Sequence, residues 1–443
     1  MDELLGVAAR TVAFALEAGA TEADATVTTA QRFSTEARAA TVAKLEQSTG
    51  HALTVRAFVD GAKATLSTTD LSTDSVRALV REIVESARFV ERDPLAGIPL
   101  TVEQPTPGDA LEIYFAEVAA RDPAQKIADA QAMEAATRAY DARIDNSSGS
   151  RVSDASITVA LANSNGFAGA YRATSVLRAT SPIARDGANR RNASYGSAAR
   201  GYADLESVES IAREAARRAV EMCGARKPGT MRLPVIFERD VAAAVLGDVF
   251  GALSAANVAN GNSFLVGRIG DRIGSDHVTI LDDGLLRRGL GTSPFDAEGT
   301  PTRTTTVFER GVLRTYLYDT YYGRKLGSAS TGNAAGGSIG PNNFYLAPGT
   351  GTFDELIAST ARGILVLDTI GFSTESVTGT YSRGARGMMI ENGEPTYAID
   401  EFTIAGHLPT MLAAIDAVAS DLRFDGAIVS PSFRVAEMTV SGQ

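Results

Sequence analysis

The chain has 443 residues, with 42 lysines and arginines against 53 aspartates and glutamates, a net charge of −11. That length makes two or three domains with cores of their own, and an apolar share of 44% excludes a mainly disordered chain. No apolar run approaches the roughly 20 residues of a membrane-spanning helix, one cysteine excludes an internal disulfide framework, and the acidic balance opposes binding to nucleic-acid phosphates. The acidic start, Met1-Asp2-Glu3-Leu4, argues against a secretory leader, and with the lone Cys223 it fits a reducing cytoplasm.

In chain order, Leu4, Leu5, Ala8, Val12, Ala15 and Leu16 form one helical stripe that Gly19 ends. Strand-like text follows at 25–28, 33–37 and 51–59, and Asp60-Gly61 marks a tight hairpin returning through 62–68. Val76, Leu79, Val80, Ile83, Ala87 and Val90 predict a second helix, stopped by Asp93-Pro94. A short helix is expected over 110–120, and Asp122-Pro123 caps another reaching Tyr140. Two long strands, 153–162 and 168–180, are joined through residues 163–166. Val208, Ile211, Ala212, Ala215 and Ala219 then mark a helix closed by Gly224.

Arg226-Lys227-Pro228-Gly229 is polar and helix-breaking, and it divides the chain into expected domains 1–225 and 230–443. The second opens with a strand at 233–237, then a helix capped by Asp240 and running through Ala256. Hairpin turns are expected at Arg310-Gly311 and Asn392-Gly393, and late helices over 354–362 and 408–421. The fold class is α+β, with a mixed N-terminal domain and a sheet-rich C-terminal domain.

Common catalytic signatures are missing. The glycine-rich stretch 327–340 lacks the lysine of a phosphate loop, and neither a dinucleotide fingerprint nor a serine-hydrolase elbow occurs. His51, His277 and His407 lie far apart, share no metal-ligand spacing and read as surface residues. The acidic residues Asp271, Asp276, Asp282 and Asp283 around His277 match no calcium loop. Cys223 reads as an inert, partly buried thiol. The loop from Leu326 to Ala334 stands out, because long glycine/serine loops in compact domains tend to be functional or mobile.

Several blocks run in order along nearly the whole chain. They include Ala162-Asn163-Ser164-Asn165-Gly166-Phe167, Leu290-Gly291-Thr292-Ser293-Pro294-Phe295-Asp296 and Glu298-Gly299-Thr300-Pro301-Thr302-Arg303. Ser330-Thr331-Gly332-Asn333-Ala334, Tyr381-Ser382-Arg383-Gly384-Ala385 and Ile390-Glu391-Asn392-Gly393-Glu394 continue the set. Together they resemble the TldD/PmbA family, specifically its PmbA (TldE) branch. The resemblance implies a two-domain TldD/PmbA-like architecture and a metallopeptidase system of two related subunits, acting in proteolysis and peptide maturation.

In the catalytic branch a helix carries His-Glu-x-x-x-His, and a C-terminal cysteine completes the metal site. Here Gly247 and Ala252 stand at the two histidine positions, Asp248 stands for the glutamate, and residues 422–426 contain no cysteine. The resemblance therefore implies a pseudoenzyme subunit with no catalytic residue and no metal of its own. Zinc is expected in a TldD-like catalytic partner, with extended or unfolded peptides as substrates and neither nucleic acid nor membrane as a direct partner. A homodimer of the isolated chain stays open. Ser330, Thr331, Gly332 and Asn333, with Tyr381, Ser382, Arg383 and Arg386, are the peptide-cleft candidates, on segments expected to be flexible. The arginines would meet peptide carbonyls or a terminal carboxylate. Two other readings compete: a self-sufficient hydrolase built around Ser330, Thr331 or Ser382, and a regulatory protein of the "modulator of DNA gyrase" type.

Overall fold

The computed structural model describes residues 1–371 and 374–442; Gln443, the end of the expected second domain, lies outside them. Helix α1 (Asp2–Glu17) buries Ala8, Val12 and Ala15, and Gly19, with φ of 101°, turns the chain into strand β1 (Glu22–Arg38). β2 (Thr41–Val59) returns along it. Asp60-Gly61, with φ of 50° and 86°, makes the tight turn into β3 (Ala62–Thr68). Then come α2 (Thr73–Ala87), α3 (Ala116–Ala120), α4 (Pro123–Ala139), β4 (Ile144–Asn163), β5 (Ala168–Asp186), β6 (Asn189–Asn192), β7 (Tyr195–Ala199) and α5 (Val208–Glu221).

These seven strands form one antiparallel sheet in the order β3-β2-β1-β4-β5-β6, with β7 also on β5. Alternation along β1 sorts the two faces. Ala25, Val27 and Ala37 join the buried clusters with the helices, whereas Asp24, Thr26 and Thr28 face the second half of the chain.

Three expectations change here. The segments 25–28 and 33–37 are one strand. Helix α2 stops at Ala87, well before Asp93-Pro94, because Phe89 and Val90 have nothing to pack on and stay 91% and 46% exposed. Residues 110–120 hold a 3-10 turn (Gly108–Leu111) and the five-residue α3 instead of a single helix.

The second half runs β8 (Met231–Phe237), α6 (Arg239–Leu253), α7 (Ala255–Ala259), β9 (Ile280–Asp283), β10 (Thr304–Glu309), β11 (Val312–Leu313), α8 (Thr320–Leu326) and β12 (Phe344–Leu346). It continues with α9 (Phe353–Ala358), β13 (Arg362–Ile370), β14 (Thr374–Glu375), β15 (Thr380–Glu391), β16 (Glu394–His407), α10 (Leu408–Ala413), β17 (Ile415–Val418), β18 (Ile428–Val429) and β19 (Phe433–Ser441). One sheet is β11-β10-β9-β12-β18. The other is β13-β8-β19-β16-β15-β14, and it closes on itself because β13 also pairs with β15. Its core holds Phe237, Val366, Tyr381, Ile404 and Phe433 together with Val241, Val245, Val249 and Leu253 of α6.

The hairpins at Arg310-Gly311 and Asn392-Gly393 form with positive φ at all four residues. The N-cap of α6 is Glu238, whose carboxylate accepts from the Asp240 amide, and extended backbone at Ser254 ends that helix before Ala256. The 354–362 helix ends at Ala358. The 408–421 helix ends at Ala413, since Ile415–Val418 finds ladder partners in β19. Residues 381–387 are strand, not a flexible segment. A side chain at Gly387 would put its Cβ 1.9 Å from the Leu365 carbonyl, so the glycine allows close strand approach.

The halves are bound by buried polar contacts. Arg200, 5% exposed, donates to the carbonyls of Gly289, Leu290 and Thr292 at 2.7–3.0 Å. Arg191 of β6 pairs with Asp400 of β16 at 2.5 Å.

Candidate functional site

Helix α6 turns its apolar stripe inward and leaves Gly247 on an open side, where a Cβ would meet no atom within 4 Å. Ala252 is 0% exposed. Between them Asp248 is held from β14 and β15. Thr374 Oγ1 donates to its Oδ2 at 2.9 Å, and Arg383 Nη2 donates to both oxygens at 2.9 and 2.7 Å. The Arg383 side chain is 10% exposed, and its guanidinium lies 5.5 Å from the centre of the Tyr381 ring. Burial raises the Asp248 carboxyl, opposed by Arg383 and the Thr374 hydroxyl.

A bulge between Ala385 and Gly387 re-aims Arg386 toward β13 and β6. It holds Asp368 through Nε and Nη2 at 2.9 and 2.7 Å, and its Nη1 donates to the Asn192 backbone and side-chain oxygens at 3.2 and 3.1 Å. Arg383 and Arg386 line a cleft of about 380 Å³ between the two halves, with Asn192, Asp240, Val241 and Asp368. Both guanidinium groups already have carboxylate partners.

The other candidate segment lies in a different place. Thr331 accepts from the Tyr318 amide at 2.8 Å and donates to Asn333 Oδ1 at 2.6 Å. Asn333 Nδ2 donates to Asp282 at 2.7 Å and to the Gly340 carbonyl at 2.9 Å. Gly332 has φ of 77°, and the Ser330 hydroxyl accepts from its amide at 3.2 Å. Gly332 and Asn333 line a separate cavity of about 330 Å³ with Tyr171, Asp296 and Asn342. Of the eight cleft candidates, Arg383 and Arg386 line one cavity and Gly332 and Asn333 the other, and the two cavities share no lining residue.

Two enclosed carboxylates that sequence reasoning did not select lie at the second cavity, Asp296 in its lining and Asp282 behind the lining residues Asn333 and Asn342. Asp296 accepts from the amides of Glu298, Thr300 and Ala334 at 2.9–3.0 Å, and Asp282 accepts from Asn333 and Asn342. Burial pushes Asp282 up to about 6 and Asp296 up to about 7, against these donors. The block ending in Asp296 was visible in the sequence, but nothing local in it shows that the carboxylate is enclosed.

A testable pH dependence follows. Both native values lie above the ordinary carboxylate value, so their stabilising contribution is complete at acid pH and disappears as pH rises through about 6 to 7. Surface carboxylates that arginines or hydroxyls hold low, such as Asp141, titrate below that window. Urea unfolding followed by circular dichroism should show roughly 2–4 kcal/mol less stability at pH 8 than at pH 5. A flat or rising midpoint would mean that both groups are ionised in the native state.

The three histidines are exposed and apart; the His407 ring meets the Thr378 carbonyl. Among the described residues no group of three or more His, Cys, Asp or Glu side chains is placed to hold a metal ion. Asp271 and Asp276 pair with Arg268 and Arg272. Cys223 is half-buried, and burial raises its thiol.

A PmbA/TldA metallopeptidase central domain matches residues 117–222, and a PmbA/TldA metallopeptidase C-terminal domain matches residues 230–442. Metalloprotease PmbA of Escherichia coli O157:H7 is 31% identical over 95% of this chain and 92% of its own length. The chain belongs to the TldD/PmbA family. A Bacteroides thetaiotaomicron structure carrying the name of a modulator of DNA gyrase is 27% identical over both whole chains, with a TM-score of 0.93. TldE of Thermococcus kodakarensis shares the fold, with a TM-score of 0.88 at 18% identity over 98% of this chain and 99% of its own. The zinc implied by a TldD/PmbA metallopeptidase does not fit the residues on α6. Gly247 and Ala252 offer no donor atom, and the Asp248 carboxylate is engaged by Arg383 and Thr374.

Proposed function

We propose that this chain is the non-catalytic, PmbA/TldE-like subunit of a metallopeptidase that matures and degrades unfolded peptides, with the zinc carried by a TldD-like partner. The observation that carries the reading is the replacement of metal chemistry on α6 by an Asp248–Arg383 ion pair. Arg383 occupies the carboxylate that stands at the glutamate position, and the ligand positions Gly247 and Ala252 offer no donor atom, so on this reading α6 stays in the protein as a structural element without hydrolytic capacity. A net charge of −11 opposes direct DNA binding, so a role of the gyrase-modulator type would have to act without direct DNA contact.

Reconstitution tests this. The chain alone, a TldD-like subunit alone and a 1:1 mixture are assayed with an unfolded peptide substrate, with and without chelator. Chelator-sensitive turnover should be absent from the first and highest in the mixture. Robust cleavage by the single chain would favour a self-sufficient hydrolase at an unassigned site instead.

A further inference from the structure

The cavity that Asp296 lines holds negative charge and no counter-charge. Asp282 and Asp296 are 0% and 8% exposed, and each accepts three N–H donors. Among the described residues neither forms an ion pair, and Asp296 is the one charged residue in the cavity lining. The charges that act on them, Glu298 on Asp296 and Asp283 on Asp282, are negative as well. Asp24 and Glu298, by contrast, share Arg56, and Asp248 has Arg383. An enclosed carboxylate is stable only when it is protonated or paired, and at a cavity an entering cation can complete the pair.

A second observation points the same way. Asn342 is 5% exposed, and its Nδ2 spends both hydrogens on Asp282 and the Gly332 carbonyl, at 2.9 and 3.2 Å. Its Oδ1 therefore turns away from Asp282 and has no donor among the described residues, at the cavity that Asn342 lines. Thr26 and Thr28 of β1 add two hydroxyls with no hydrogen-bond partner among the described residues. Tyr171 and Phe295, whose ring centres lie 5.2 Å apart, make part of the wall aromatic, and Val159, Leu161 and Pro341 make another part aliphatic. The free polar atoms are acceptors or hydroxyls, and the rest of the wall is apolar.

We infer that this cavity of about 330 Å³ binds the ammonium head of an alkylamine, with Asp296 as counter-ion, Asn342 Oδ1 and the threonine hydroxyls as acceptors, and the alkyl chain against the aliphatic wall. An ammonium brings only donors, which is what acceptors without donors select. An anion has no cation to meet in this lining. A hard divalent metal asks for six or more oxygens, and among the described residues no three carboxylate, histidine or cysteine side chains converge. Aromatic faces favour an organic ammonium, whose methylenes also gain from burial. A free alkylamine and a lysine side chain present the same head on the same kind of chain, so the chemistry is shared by both sources.

The inference does not use the peptidase reading, and its failure would leave that reading untouched. Titration calorimetry on the full chain tests it at pH 8, above the values to which burial pushes the two carboxyls. The probes are n-butylamine, its neutral counterpart n-butanol, Nα-acetyl-lysine amide and potassium chloride. Butylamine should bind once per chain, about ten-fold or more tighter than butanol. Binding of the lysine amide with similar Kd assigns the site to a lysine side chain, and its exclusion assigns it to a free amine. Asp296→Asn should weaken butylamine about ten-fold or more. Because Asp296 also holds three amides, Thr28→Phe, which fills the cavity from β1, serves as a second variant and should abolish binding. Circular dichroism melts check that both variants fold. No binding of butylamine, butanol or potassium binding as tightly as the amine, or a folded Thr28→Phe chain that binds like the wild type would each overturn the assignment.

Discussion

Arg56→Met is expected to lower folding stability by roughly 3–5 kcal/mol, the usual cost of removing one partner from a buried ion pair. Arg56 on β2 faces Asp24 on β1, where its Nε donates to the two carboxylate oxygens at 3.0 and 2.9 Å. Its Nη1 reaches Glu298 of the second half at 3.1 Å, and the three side chains are 12%, 3% and 9% exposed. Glu298 in turn accepts from the Thr320 amide at the start of α8. Without the guanidinium, two enclosed carboxyls lose the cation they share, and burial, which already raises Asp24, dominates. One of them must then take up a proton at neutral pH. The variant should therefore recover part of its stability as pH falls, and the neutral triple variant Asp24→Asn/Arg56→Met/Glu298→Gln should recover more. Urea unfolding across pH 5 to 8 measures this. A loss under about 1 kcal/mol, independent of pH, would mean that the cluster behaves as an exposed pair.

Rebuilding the metal motif should fail for reasons visible in α6. Five residues of a regular helix turn about 140° past one full revolution, so positions 247 and 252 face different ways. Gly247→His is expected to fold normally, because its Cβ meets open space. Ala252→His drives an imidazole into a fully closed position in the core of the second half, where overpacking costs roughly 1–3 kcal/mol before the desolvation of a polar ring. Asp248→Glu lengthens the carboxylate that Arg383 and Thr374 hold. The triple variant Gly247→His/Asp248→Glu/Ala252→His should unfold at markedly lower urea and retain well under one zinc per chain after dialysis. One tightly held zinc in a folded triple variant would show that α6 lacks only its donor atoms, and would undercut the pseudoenzyme reading.

The local text determined a good part of this protein. Tight turns at Asp60-Gly61 and Asn392-Gly393 were legible because these residue pairs reach positive φ at low cost, and the turn at Arg310-Gly311 was legible from its glycine. The cap at Asp122, which accepts from the Ala124 amide, and the stripes of α1 and α5 were legible because helix capping and burial act over three or four residues. The missing donors at Gly247 and Ala252 needed only the residue types, once the family blocks placed the motif. Other features required the folded chain. The pattern of Leu408, Met411, Leu412 and Ile415 reads as one helix, yet Ile415 leaves it to pair with Val435 in β19. The outer half of β2 has no apolar alternation because neither of its faces is buried, so its strand identity rests on hydrogen bonds to β1 alone. Arg383 looked free to meet a peptide, but its charge belongs to Asp248, 135 residues away. Backbone propensity and periodicity are short-range, so sequence carries them openly. Which carboxylate a guanidinium neutralises, and which strand edge stays open, depends on contacts between segments that come together only when the chain folds.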